Sequence, residues 1–245
     1  MEQLGSLLRT YAQRVFLNQG DLDYVAARSL YRLSLREQFY WTALQALEKY
    51  FKAILLFNFR SARFIDKESP EKGEFGHDLE KLCRAVREIG CLRFAPTQRY
   101  LRLLEYFTAF GNNRYLSIPT FMRDDVLGQL DKAVWDTRRF CMDVNWILRR
   151  PGHPPRPLRQ KSVDMIHDAR PHGPSRFFLV GGRLEEILKR PASDPVRKAL
   201  VWANSYYGML RRDIGFQSRL LNAEWPPTPP TDPALRAKLK LYIRL

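Results

Sequence analysis

The sequence has no long apolar run, few cysteines and few histidines. No stretch of the 245-residue chain approaches the roughly 20 apolar residues of a membrane-spanning helix. Its start lacks the charged region, apolar block and cleavage site of a signal peptide. Three cysteines, none in a CxxC pair, favour reduced thiols over a disulfide framework. Neither they nor the four histidines have zinc-site spacing. We therefore expect a cytoplasmic protein with no membrane partner, metal or cofactor.

Acidic residues are also scarce, and the imbalance is concentrated in the C-terminal part. The chain has 26 Asp and Glu against 41 Lys and Arg, a net charge of +15. Residues 149–245 alone hold 19 basic and 8 acidic side chains, a net charge of +11. Such a field attracts RNA, DNA or acidic lipid surfaces, more weakly as salt rises. The same charge is equally compatible with a general solubility feature.

Helical periodicity dominates residues 1–149. Apolar residues recur at helical spacing over 3–17, 22–33, 36–59, 77–89, 97–111 and 123–149. Asn18-Gln-Gly-Asp21 is typical of a stop followed by an N-cap, so we expect a break between the first two helices. Amphipathic helices with short connections predict an all-α, up-and-down helical bundle.

Residues 150–245 have a different character. Four prolines in Pro151–Pro157 exclude a helix there. Beyond them, Arg176–Val180 is compatible with one short strand, and helices are predicted at 184–189, 196–212 and 233–245. This segment is poor in apolar residues and rich in proline, so we expect a basic extension packed on the bundle.

The most informative segment is Phe39–Phe57. Its apolar stripe predicts a core-facing helix, while one side of the same helix gathers an amide, a carboxylate and two ammonium groups at i, i+3, i+4 and i+7. These residues are Gln45, Glu48, Lys49 and Lys52. After a polar gap, His77-Asp78-Leu79 opens the next predicted helix.

Four motifs in this order resemble the HEPN family of helical, nucleotide-associated bundles, over about residues 20–140. They are Asp23-Tyr24-x-x-Ala27-Arg28, Gln45-Ala46-x-Glu48-Lys49-x-x-Lys52-Ala53, His77-Asp78-Leu79-x-x-Leu82 and Asn113-Arg114-Tyr115. The resemblance implies a HEPN-like bundle, a homodimer through the last bundle helices and a function in RNA or nucleotide binding, in a toxin–antitoxin or defence setting. Alternatives are a non-catalytic interaction module that holds a nucleotidyltransferase or another protein, and a ribonuclease with a different constellation.

The ribonuclease signature of the family is absent. Catalytic HEPN ribonucleases carry an Arg and a His with four to six residues between them, and none of the four histidines here has an upstream arginine at that spacing. Leu116 also stands where family members with the Arg-Tyr dipeptide usually have proline. We therefore name no catalytic residue and expect a non-catalytic protein; if it is an enzyme, we expect a metal-independent ribonuclease.

The candidate nucleotide- or RNA-binding residues of the bundle are Arg28, Gln45, Glu48, Lys49, Lys52, His77, Arg114 and Tyr115. The polar row is equally compatible with a network between helices in which Glu48 bonds Arg28 or Arg114, because buried charges need partners. His77 is also compatible with a place in a helix N-terminal cap.

The basic extension offers further candidate RNA contacts, at Arg197, Lys198, Arg211 and Arg212. Trp202, Tyr206 and Tyr207 lie among them, and such a cluster can stack bases. The alternative is that these aromatic residues pack on the bundle.

Overall fold

A computed structural model describes residues 2–66, 68–113, 120–123, 125–144, 147–148, 156–157, 159–169, 180–208, 220–224 and 233. This part of the chain is mostly helical, which confirms the expected helical class. Its α-helices are α1 (Glu2–Tyr11), α2 (Asn18–Arg32), α3 (Arg36–Phe57), α4 (Leu79–Arg87), α5 (Gln98–Gly111), α6 (Val126–Arg138), α7 (Arg159–Asp168), α8 (Arg183–Leu188) and α9 (Pro195–Val201).

The first two helices form one continuous rod, so the predicted break at residues 18–21 is wrong. A π-helical segment, Ala12–Leu17, joins α1 directly to α2. Gly20 lies against α3, where an added Cβ would come within 3.1 Å of the Tyr50 ring. Asp21 is fully buried and bonds residues of other elements. The Asn-Gln-Gly-Asp segment stays helical because tertiary partners occupy the carboxylate that would otherwise cap a new helix.

Helix α3 is the centre of the bundle. It follows α2 after a tight turn in which Ser34 has a φ of 58°, and it packs against α2, α4, α5 and α6. At Gly111 the end of α5 approaches α3 so closely that an added Cβ would lie 2.6 Å from the Cβ of Leu44. Most of α3 is therefore buried.

Two predicted helix starts coincide with side-chain caps. Asp78 accepts a hydrogen bond from the backbone N–H of Lys81 at 3.0 Å, and Thr97 accepts one from Tyr100 at 3.2 Å. These bonds satisfy backbone donors that the first turn leaves unpaired.

Helix α6 is shorter than the predicted 123–149. It ends at Arg138, although neither proline nor glycine marks that end. Short antiparallel ladders lie on both sides of it along the chain: β1 (Thr120–Arg123), before α6, pairs with β4 (Leu220–Glu224), and β2 (Ile147–Leu148), after α6, pairs with β3 (Arg156–Pro157). The predicted strand at 176–180 lies outside the described residues except for Val180, and the predicted helix at 233–245 does so except for Pro233.

Helices α8 and α9 of the C-terminal part pack against α2. The predicted helix 196–212 stops at Val201 for a physical reason. Ala203 has a left-handed φ of 51°, which ends the helix, and Arg28 of α2 donates to the carbonyl oxygens of Ala199 and Trp202 and so holds this end of the helix in place. Asn204 then bonds the carbonyl of Leu200 and accepts two backbone N–H groups of the following turn.

Candidate functional site

A buried cluster of three charges joins α2, α6 and α8. Arg138 donates to both oxygens of Asp21, at 2.6 and 2.9 Å, and to both oxygens of Glu185, at 2.8 and 2.6 Å. Burial raises the pKa of Asp21, whereas the pKa of Glu185 is held below its ordinary value by Arg138 in spite of burial. We call this set the Arg138 cluster. It fixes helix α8 to the bundle and is closed to solvent.

Arg28 forms a second buried pair. It bonds Asp131 of α6, which also accepts the hydroxyl of Tyr24 at 2.6 Å. The proposed bond between Glu48 and Arg28 is therefore not formed. Arg28 is fully buried and its guanidinium is occupied, so we assign it a structural task and no ligand contact.

Glu48, Lys52 and His77 meet in an open cleft of about 670 Å³, which we call the Glu48 cleft. Helix α3 forms its floor. The α1–α2 rod contributes one wall through Leu8 and Phe16. The opposite wall is the connection between α3 and α4, which folds back on itself through a β-bridge between Phe64 and Glu74.

The Glu48 carboxylate organises the cleft. One oxygen accepts a bond from the Lys52 ammonium at 2.6 Å, and the other lies 2.7 Å from Nδ1 of His77. Gln45 approaches the same oxygen at 3.5 Å. The Glu48 side chain is 7% exposed, whereas that of His77 is 44% exposed. A buried acid thus orients an accessible imidazole, and that ring also packs against Trp41 in a T-shaped arrangement.

The rim of the cleft is cationic. Arg60 and Arg63 line it beside Lys52, and both arginines are exposed. Arg63 bonds Glu74 at 2.8 Å, while Arg60 forms no ion pair with a described residue. Phenylalanine and leucine side chains also line the cleft. The cleft therefore offers positive charge and apolar surface together, a combination suited to a phosphate joined to an organic body.

The imidazole of His77 can also act as a base. With its Nδ1–H donated to Glu48, a neutral His77 carries its lone pair on Nε2. No described residue hydrogen-bonds Nε2. Nε2 can therefore accept a proton from the hydroxyl group of a ligand in the cleft, and the bond to Glu48 fixes the tautomer that makes this possible.

The chain matches no protein-family model, no curated protein and no solved structure. The HEPN resemblance consequently remains a hypothesis based on the four motifs.

The other predicted residues are scattered. Lys49 pairs with Asp23 of α2 and lies apart from the Glu48 carboxylate. Arg197 donates to the carbonyl of Leu188 at the end of α8, and Lys198 is exposed. Four predicted residues lie outside the described residues: Arg114, Tyr115, Arg211 and Arg212.

Sequence reasoning missed Arg60 and Arg63. Their signal was a basic stretch between the motif helix and His77, which is easily taken for a solvated loop. Two further findings concern the described residues: no helix among them has the length and apolar character to cross a membrane, and no group of three or more metal-ligating side chains among them is placed to hold an ion.

Proposed function

We propose that this chain is a HEPN-like helical protein that binds RNA or a nucleotide, with the ligand phosphate in the Glu48 cleft. The observation that carries the proposal is the convergence of Lys52, Arg60 and Arg63 with apolar walls above an oriented His77. The three cations outnumber the two carboxylates of the cleft, those of Glu48 and Glu74. Lys52 and His77 both bond Glu48. The cationic C-terminal part adds long-range attraction for a polyanion.

The motif resemblance supports a toxin–antitoxin or defence setting and a homodimer for this protein. It also supports a nucleotidyltransferase as a protein partner. These parts of the proposal depend on the family likeness alone, whereas phosphate binding depends on the cleft.

Fluorescence anisotropy with a labelled single-stranded RNA tests the binding. Each phosphate contact on a single strand contributes about 0.7 to the slope of log K against log salt. The double variant Arg60→Gln with Arg63→Gln should therefore weaken binding and reduce the slope by about 1.4. Replacing Lys198, Arg211 and Arg212 by Ala should also reduce the slope.

The matched control is Arg84→Gln with Arg87→Gln on α4. Both arginines are exposed and Arg84 pairs with Glu80, as Arg63 pairs with Glu74. Each double variant removes two positive charges, one of them ion-paired. Equal losses in the two variants would mean that only net charge matters and would exclude the cleft as the binding site.

A second candidate function, RNA cleavage, is favoured by the Glu48–His77 contact. In this reaction His77 Nε2 accepts the proton of a ribose 2′-hydroxyl, and the 2′-oxygen attacks the adjacent phosphorus. The bond to the 5′-oxygen breaks, and that oxygen takes a proton from the Lys52 ammonium or from water. The products are a 2′,3′-cyclic phosphate and a 5′-hydroxyl end. Arg60 and Arg63 precede His77 by 17 and 14 residues, well beyond the spacing of the family motif.

Incubation of end-labelled RNA in EDTA separates the two functions. Cleavage that is lost in His77→Asn and reduced in Glu48→Gln, with RNA binding retained, would establish the reaction. Intact RNA after prolonged incubation with the wild-type protein would leave binding as the function.

A further inference from the structure

A second cleft, which the proposed function does not use, lies between α5 and α6. Its volume is about 520 Å³, within the range of small-molecule sites in proteins. We call it the α5–α6 cleft. The residues that matter for its chemistry are Arg99, Arg102, Tyr106, Gln129, Lys132 and Tyr206.

Two tyrosine rings in this cleft are held in place from outside it. The Tyr106 hydroxyl lies 2.6 Å from that of Tyr40, and its ring packs on Phe110 at 4.6 Å between centroids. Tyr206 belongs to the turn that Asn204 organises, and its ring lies 6.2 Å from that of Trp135, inclined by 31°. Fixed aromatic rings lose little conformational freedom when a flat ligand packs against them.

The charges at the mouth are unbalanced. Arg99 and Arg102 are three residues apart on α5, both exposed, and neither forms an ion pair with a described residue. The nearby acidic groups have partners of their own. Asp136 pairs with Lys132, and Asp125 accepts the Gln129 amide at 2.6 Å. Two guanidinium groups thus face solvent at the edge of an aromatic cavity, where they suit a dianion with several oxygen acceptors.

We propose that the α5–α6 cleft binds a small organic phosphate with a flat aromatic body. The body lies against Tyr106 and Tyr206, and the phosphate contacts Arg99 and Arg102. This site is separate from the Glu48 cleft and does not depend on RNA binding there.

The C-terminal part completes the site, because Tyr206 belongs to the turn that follows α9. A ligand in the cleft therefore binds more tightly to the state in which this turn is docked, and it stabilises that docking by mass action. The inference thus includes an effect on the fold: ligand should protect the 202–208 turn from hydrogen exchange.

Isothermal titration of the full chain with 1-naphthyl phosphate tests the proposal. Inorganic phosphate and 1-naphthol supply the two halves of the probe separately. We expect a dissociation constant below about 1 mM for the joined molecule, and binding at least roughly tenfold weaker for each half. No heat of binding with 1-naphthyl phosphate at about 1 mM would overturn the proposal.

Variants locate the site. Arg99→Gln with Arg102→Gln should weaken binding by about tenfold or more through the loss of charge-assisted hydrogen bonds. The control, Arg84→Gln with Arg87→Gln, removes an equal charge at the same spacing on α4 and should bind normally. Arg60→Gln with Arg63→Gln alters the Glu48 cleft, which can itself take an organic phosphate, and should retain the binding that Arg99→Gln with Arg102→Gln removes. Loss of binding in this last variant alone would assign the probe to the Glu48 cleft and refute a second site.

A photolabel gives a result that does not depend on the folding of any variant. Irradiation of the wild-type chain with 4-azidophenyl phosphate should label peptides of α5, of α6 or of the turn that carries Tyr206, and excess 1-naphthyl phosphate should suppress the label. Labelling confined to other peptides would contradict the assignment.

Discussion

Replacing Arg138 by leucine should destabilise the protein strongly. The substitution keeps an apolar stem but removes the charge that bonds Asp21 and Glu185, which are 0% and 4% exposed. Breaking a buried ion pair by deleting one partner costs about 3–5 kcal/mol. Because two carboxylates lose the same cation, we expect the upper part of this range. A domain of this size loses about 2–4 °C in melting temperature per kcal/mol, so the expected shift is roughly 8–20 °C.

The loss of stability in Arg138→Leu should depend on pH, in a direction that the pKa shifts of the two acids determine. Burial already raises the pKa of Asp21 in the folded state, and without Arg138 the lowered pKa of Glu185 should rise as well. A folded-state pKa above the unfolded value means that the folded state binds more protons, so stability falls as pH rises through that interval. In the wild type, Glu185 acts in the opposite direction, and its contribution is lost as pH falls below its ordinary value near 4.5. The deficit of the variant should therefore be smallest near pH 4 and largest at neutral pH.

Urea unfolding followed by circular dichroism between pH 4 and pH 7 measures both effects. Arg87→Leu on the exposed face of α4 is the control and should change the free energy of unfolding by no more than about 0.5 kcal/mol. A loss under about 1 kcal/mol for Arg138→Leu at neutral pH, or a deficit that does not vary with pH, would refute the argument that these charges are buried and coupled.

Three further predictions concern single features. Gly182→Ala should lower the free energy of unfolding by about 1–3 kcal/mol, because the new Cβ would lie 2.6 Å from Asp21 Oδ2 and 2.7 Å from an Arg138 nitrogen. The control is Gly90→Ala, where an added Cβ has open space and should be nearly neutral. Equal effects of the two variants in thermal unfolding would contradict this packing. Asp78→Ala should cost about 1 kcal/mol by removing the cap of α4, and an unchanged urea midpoint would count against the cap. Light scattering should give twice the 28.9 kDa of one chain if the protein pairs as the family resemblance implies, and a monomer at all concentrations would exclude that part of the proposal.

The helices could be predicted from sequence because their apolar residues recur with the helical period. Helix α3 and the starts of α4 and α5 follow directly from this pattern and from Asp78 and Thr97. The end of α9 could not be predicted, because it depends on Arg28, which lies 171 positions before Ala199. The residues around α9 do not indicate such a distant contact.

The candidate site was only partly predictable, for a similar reason. The motif row correctly marked Glu48 as a buried acid, but the identity of its partner depends on how the α3–α4 connection folds back to His77. The buried pairs of α2 did leave a signal. Asp21 and Arg28 occupy the same stripe as Tyr24 and Val25, so charged residues stand at core positions of the helix, where they need partners from elsewhere in the chain.

The two buried pairs of α2 and α6 have a consequence for the alignment of these helices. Asp21 precedes Arg28 by seven residues, and Asp131 precedes Arg138 by seven, so the antiparallel helices match each acid with a base. Sliding α6 by two turns in one direction would put arginine opposite arginine, and in the other direction aspartate opposite aspartate. In either case the remaining two charges would have no counterion. Only one offset is therefore permitted, and a residue inserted between either pair would have to be matched by a compensating change in the facing helix.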